Sequence, residues 1–100
     1  MRNMSGQLAN YIERAPQRAQ EHFRVWLDTP KRTPEFSALL GKTFTYWDSK
    51  RSADAYRACE VPGAALEALR EEAETKEKEA RLAFAWACME FDSLNGLASN

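Results

Sequence analysis

Residues 64–94 read AALEALREEAETKEKEARLAFAWACMEFDSL, a stretch without a single glycine or proline. Three acid–base pairs within it are spaced four positions apart with the acid first, which is the order that stabilises a helix: Glu72 with Lys76, Glu74 with Lys78, and Glu77 with Arg81. Val61-Pro62-Gly63 precedes the stretch and Asn95-Gly96 follows it, and both are helix-ending sequences. We therefore predict one continuous helix from Ala64 to Leu94.

Upstream of this helix, residues 7–27 carry apolar side chains at steps of three and four, which predicts a second helical region. Pro16 lies inside it, and because proline lacks a backbone donor and clashes with the preceding turn, we expect a kink or a break there. Residues 28–32 are predicted to form a loop. Thr33-Pro34-Glu35 then starts another helix, with threonine as the N-cap and proline in the first turn.

The segment after Gly41 is ambiguous. Thr43-Phe44-Thr45-Tyr46 alternates like a short strand, but no partner strand is visible, so we interpret it as helix or irregular turn. Asp48 or Ser49 can cap a further helix over residues 50–59.

These elements predict an all-α fold, a small bundle of three to five helices with one long C-terminal helix. We expect one domain over residues 1–100, frayed at 1–6 and 96–100, in which the shorter helices pack around the C-terminal half of the long one. The predicted core comprises Leu8, Ile12, Phe23, Trp26, Phe36, Leu39, Leu40, Phe44, Trp47, Tyr56, Leu66, Leu69, Phe84, Ala87 and Phe91.

Composition narrows the class of protein. The net charge is −1, but residues 1–50 hold eight basic and five acidic side chains while residues 51–100 hold six and ten. We expect the basic half to pack beside the acidic half, since no basic cluster of the kind that binds nucleic acid is present. The N-terminus lacks the apolar region of a secretion signal, and the longest apolar run, residues 82–89, is too short to span a membrane. Two cysteines are too few for a disulfide scaffold, so we expect a soluble cytoplasmic protein.

Side chains that could carry catalysis are scarce. His22 is the only histidine, and its place next to Phe23 predicts a position at the edge of the packed stripe or on the solvated face. One histidine and two distant cysteines, Cys59 and Cys88, do not supply a zinc site, and no glycine-rich phosphate loop is present. We expect no enzyme activity, no metal and no cofactor.

An alternative interpretation is a helix-turn-helix DNA-binding regulator that uses residues 52–72, because Val61-Pro62-Gly63 separates two predicted helices. The second helix would present Ala64, Ala65, Glu67 and Ala68 to base edges, followed by acids facing the phosphates. We therefore do not expect nucleic-acid binding.

The preferred hypothesis is a non-enzymatic protein that binds another protein, as an adaptor or inhibitor, or binds itself as a homodimer. A domain of this size would suit a phage or mobile-element regulator. Small residues repeat every seven positions along the long helix, at Leu66, Ala73, Ala80, Ala87 and Leu94, and allow close helix approach. The candidate partner-binding residues are Ala80, Phe84, Trp86, Ala87 and Phe91.

Overall fold

A computed structural model describes residues 4–28 and 33–94 and confirms the all-α class. These residues form four helices and no strand, and the longest helix covers the predicted range. The helices are α1 (Met4–Glu13), α2 (Ala15–Asp28), α3 (Pro34–Ala58) and α4 (Ala64–Leu94).

The break that Pro16 predicts lies between α1 and α2, so Pro16 is in the first turn of α2. Proline has no N–H to donate to the carbonyl four residues earlier, which is that of Ile12. Arg81 from α4 supplies the missing donor, because its Nε donates to the Ile12 carbonyl at 2.7 Å and its Nη2 to the Glu13 carbonyl at 3.2 Å. The end of α1 is thus capped by the long helix.

The start of α3 has the predicted cap. The Thr33 hydroxyl accepts a hydrogen bond from the Phe36 amide at 3.1 Å, with Pro34 in the first turn. The prediction of a separate helix beginning at Asp48 or Ser49 is wrong, since α3 continues without interruption through Gly41 to Ala58.

Side-chain hydrogen bonds show how α3 accommodates the ambiguous segment. The hydroxyls of Thr43, Thr45 and Ser49 each donate to the carbonyl four residues earlier, at 2.8, 3.0 and 2.9 Å. Their polar groups are therefore satisfied within the helix. Tyr46 is buried against α4, and this tertiary packing stabilises the helix in a way that local sequence propensity does not predict.

Helices α3 and α4 form an antiparallel hairpin joined by residues 59–63. Pairs along it run from Arg57 with Glu77 near the turn, through the stacked rings of Tyr46 and Phe84, to Phe36 with Phe91 at the far end. At the turn, Arg70 donates to the carbonyls of Tyr56 and Cys59 at 3.1 and 2.9 Å, which satisfies the end of α3.

The first two helices cover one side of this hairpin, at the end remote from its turn. The central buried cluster lies where all four helices meet and contains Ala15, Ala19, Leu39, Tyr46, Phe84 and Cys88. The molecule measures 49 × 38 × 17 Å, and its radius of gyration of 15.6 Å exceeds the roughly 13 Å of a compact domain of this length. The bundle is therefore thin, and many apolar side chains are covered on one side only.

This thinness explains the errors in the predicted core. Leu39, Leu40 and Phe84 are buried as predicted, whereas Phe44 and Leu69 are 40% and 46% exposed. The remaining members of the predicted core are half-buried. Ala15, Ala19, Thr43, Tyr46, Ala53, Ala73, Ala85, Cys88 and Met89 are buried although the predicted core omits them.

Some predictions fall outside the described residues. These are residues 29–32 of the predicted loop, the Asn95-Gly96 stop, and residues 1–3 and 96–100 of the segments predicted to fray. Residues 4–6, which were predicted to fray, belong to α1, and Asp28, predicted in the loop, ends α2.

Because Gly41 lies inside a continuous helix, replacing it with alanine should stabilise the protein. A Cβ there would meet nothing within 4 Å, so Gly41→Ala should raise the free energy of unfolding by about 0.5–1 kcal/mol, measured by urea titration. Gly63→Ala is the control, since Gly63 has φ +155° and the same substitution there is strained and should destabilise. A loss of stability in Gly41→Ala would show that α3 is broken at this position.

Candidate functional site

The most concentrated polar chemistry in the structure surrounds Asp92, on α4. This carboxylate is only 4% exposed and receives hydrogen bonds from two other helices. The Tyr11 hydroxyl donates to Oδ2 at 2.6 Å, and the Arg18 guanidinium donates to both carboxylate oxygens at 2.9 Å. One buried acid on α4 thus holds α1 and α2 together.

The electrostatics show that this is an ion pair and not a proton donor. Burial acts to raise the pKa of Asp92, but hydrogen bonds from Arg18 and Tyr11 and the charge of Arg18 outweigh burial and hold the pKa below its usual value. The hydrogen bond to Asp92 raises the pKa of Arg18 although burial acts against it. Burial and the same carboxylate raise the pKa of Tyr11 to about 12. Asp92 is therefore ionised and Tyr11 protonated near neutral pH.

His22 lies close to this cluster, and the prediction that it sits at the stripe's edge or on the solvated face is wrong. It is 6% exposed, with the rings of Phe36 and Phe84 edge-on at 6.0 and 5.5 Å. Burial, reinforced by the charge of Arg18, lowers the pKa of His22 to about 4. The imidazole is neutral at pH 7 and is enclosed by aromatic rings.

Cys88, one turn before Asp92, is buried as a free thiol. Burial raises its pKa to about 12, so the reactive thiolate is not populated at neutral pH. Cys59 is a free, half-buried thiol at the hairpin turn. The buried polar side chains are thus a neutral histidine (His22), a protonated thiol (Cys88) and a carboxylate paired with a cation (Asp92). This combination suits structural stabilisation better than nucleophilic catalysis.

Residues 4–28 and 33–94 contain neither a candidate metal site nor a helix that could span a membrane. No group of three or more His, Cys, Asp or Glu side chains is placed to hold a metal ion. No described helix combines the length and the apolar character needed to cross a membrane.

The five residues predicted to bind a partner do not form one surface. Phe84 is fully buried in the central cluster, and Ala80, Ala87 and Phe91 are partly buried against it. Trp86 lies on the outside of α4 and is 45% exposed, with the exposed Leu82 one turn before it. Of the predicted set, Trp86 is the large side chain left accessible.

A second apolar area that reaches the surface, which we call the aromatic cluster, lies between α2 and α3. It consists of Phe23, Trp26, Phe44 and Trp47. The Phe44 ring centroid is 5.0 Å from that of Phe23 and 5.4 Å from that of Trp26, and Trp47 is 5.7 Å from Phe23. Sequence periodicity found these four residues but placed them in the core, and only the thinness of the bundle shows that Phe44 reaches the surface.

The hairpin turn does not favour the helix-turn-helix interpretation. The helices on either side of it lie side by side, and the cations nearest the turn already have partners. Arg57 forms ion pairs with Asp54, Glu74 and Glu77, and Arg70 is bound to backbone carbonyls. Neither guanidinium is free to contact phosphates.

No protein-family model matches the chain, and comparison with curated proteins and with solved structures finds no similar protein.

The ion pair between Arg18 and Asp92 should contribute measurably to the free energy of unfolding. Arg18→Met leaves the Asp92 carboxylate buried without its cation, and the free energy of unfolding should fall by about 3 kcal/mol in chemical denaturation at pH 7. Arg24→Met is the matched control on the same helix, because Arg24 is exposed and forms no ion pair with the described residues. Equal effects of the two substitutions would contradict a structural role for Arg18.

Proposed function

We propose that this protein acts without catalysis, by binding another protein as an adaptor or inhibitor. The observation that carries the proposal is the exposure of Phe44, at 40%, in the middle of the aromatic cluster; Leu27, which follows Trp26 on α2, is 76% exposed. Large aromatic side chains are enriched where protein interfaces gain most of their binding energy. The cluster is already assembled by its own ring contacts, so a partner would order few new side chains on binding.

The chemistry of the buried cluster supports a binding role over an enzymatic one. Burial keeps the His22 imidazole neutral and the Cys88 thiol protonated at neutral pH. The two cysteines are free, which suits a reducing compartment and supports our proposal of a cytoplasmic location.

The ring contacts between α2 and α3 favour the aromatic cluster over Trp86 and Leu82, which both lie on α4. Complete burial of one large apolar side chain contributes about 1.5–3 kcal/mol. A partner that covers the exposed parts of Phe44 and of Leu27, which is on the same helix as Phe23 and Trp26, would therefore gain a few kcal/mol. Lys50, whose Nζ lies 5.7 Å from the Trp47 ring centroid, provides a polar rim of the kind that surrounds interface centres.

The test is quantitative affinity capture from the native cell, followed by a binding titration with the captured protein. Phe44→Ala and Leu27→Ala should each weaken binding at least about tenfold, which corresponds to roughly 1.4 kcal/mol. Leu69→Ala is the control, because Leu69 is similarly exposed but lies on the α4 half nearest the hairpin turn. Circular dichroism of each variant establishes that the helices are retained.

Capture that is unchanged in both Phe44→Ala and Leu27→Ala but lost in Trp86→Ala would move the site to the outside of α4. Light scattering on the purified protein distinguishes a second copy of this chain from a different partner. Binding to a nucleic acid that survives physiological salt would contradict the proposal as a whole.

A further inference from the structure

Several polar contacts between described residues connect α1 and α2 to the hairpin. Arg18 and Tyr11 hold Asp92, and Arg81 caps the end of α1. A further polar contact among the described residues involves His22, whose Nδ1 is 3.4 Å from the Thr43 hydroxyl on α3. Two of these attachments, those of Asp92 and His22, depend on the ionisation state of a titratable side chain.

The surroundings of His22 fit a neutral ring only. The Thr43 hydroxyl donates its proton to the Leu39 carbonyl at 2.8 Å, so towards the imidazole it can act as the acceptor of one N–H. Protonation would add a second N–H and a positive charge between the rings of Phe36 and Phe84.

The charged groups around His22 do not compensate for that added charge. On its own helix, Arg18 is a cation one turn away and opposes protonation. On α4, Asp92 favours protonation but is already bound by Arg18 and by Tyr11 of α1. On α3, the side chains in contact, Phe36 and Thr43, do not titrate.

We infer that the segment formed by α1 and α2, which we call the clasp, detaches from the α3–α4 hairpin at acidic pH. Protonation of His22 releases α2 and exposes the apolar hairpin surface beneath it. The uncovered surface includes Leu39, Phe84 and Cys88. The inference is independent of which protein the domain binds.

The direction and size of the effect follow from proton linkage. The pKa of His22 is about 4 in the folded protein and 6.5 when the ring is free, so the detached state binds more protons between these values. Detachment is therefore favoured as pH falls from 6.5 towards 4. Between pH 7 and pH 5 its equilibrium constant should rise about 25-fold.

Between pH 7 and pH 5, His22 is the side chain whose charge is expected to change most. His22 is the only histidine in the chain, and ordinary carboxylates change charge mainly below pH 5. The pKa of Asp92 is held below its usual value, so the ion pair with Arg18 is lost only at still lower pH. Loss of that pair acts in the same direction and would complete the release.

Hydrogen exchange followed by mass spectrometry tests the release of the clasp, with rates at pH 7 and pH 5 corrected for intrinsic exchange. Protection of α2 should fall about 25-fold between these values and remain at least about tenfold below that of the hairpin. Equal protection of α2 and the hairpin at both pH values would show one global unfolding event and overturn the inference.

His22→Gln and His22→Leu both remove the titrating group, and either variant that folds should lose the pH dependence. A dependence that persists without His22 would contradict the mechanism. In the unmodified protein, the NMR signals of the single histidine should titrate well below pH 6.5. A midpoint near 6.5 with α2 protection unchanged would likewise overturn the inference.

Discussion

The ion pair between Asp92 and Arg18 is the constraint on which the arrangement of the four helices depends. A carboxylate that is almost completely buried is costly unless a cation and hydrogen-bond donors surround it. Here the donors come from α1 and α2, while the acid belongs to α4. The buried charge therefore fixes where the N-terminal segment sits along the hairpin, a form of specificity that apolar packing between small alanine surfaces would provide only weakly.

The same constraint shapes what the molecule can do. Asp92 is bound by Arg18 and Tyr11, while burial keeps His22 neutral and Cys88 protonated, so the interior favours stability over reactivity. Because α1 and α2 cover only part of a long, thin hairpin, several large apolar side chains remain at the surface. The aromatic cluster is one of these areas, and it supports the binding function that we propose.

Local features of the sequence predicted local features of the fold. The helix over residues 64–94, the Thr33 cap and the break near Pro16 each depend on neighbours within a few positions, which is the range of propensity and capping. Arg18 and Asp92 are 74 positions apart, and nothing in the spacing of either residue indicates the pair. Helix α2 shows the limit most clearly. Its predicted apolar stripe includes Ala15 and Ala19, which are buried, and Phe23 and Trp26, which are only half-buried. His22, beside the stripe, is buried, because a rotation within a broad apolar face leaves the periodicity unchanged.

A double-mutant cycle between Arg18 and Asp92 tests this account most directly. Arg18→Met, Asp92→Asn and the double variant would be compared by chemical denaturation at pH 7. We expect a coupling energy between Arg18 and Asp92 on the order of 2 kcal/mol, since either single change leaves a buried partner unsatisfied and the double change removes both charges. Effects that add to within about 0.5 kcal/mol would contradict it, because residues that do not interact show such additivity.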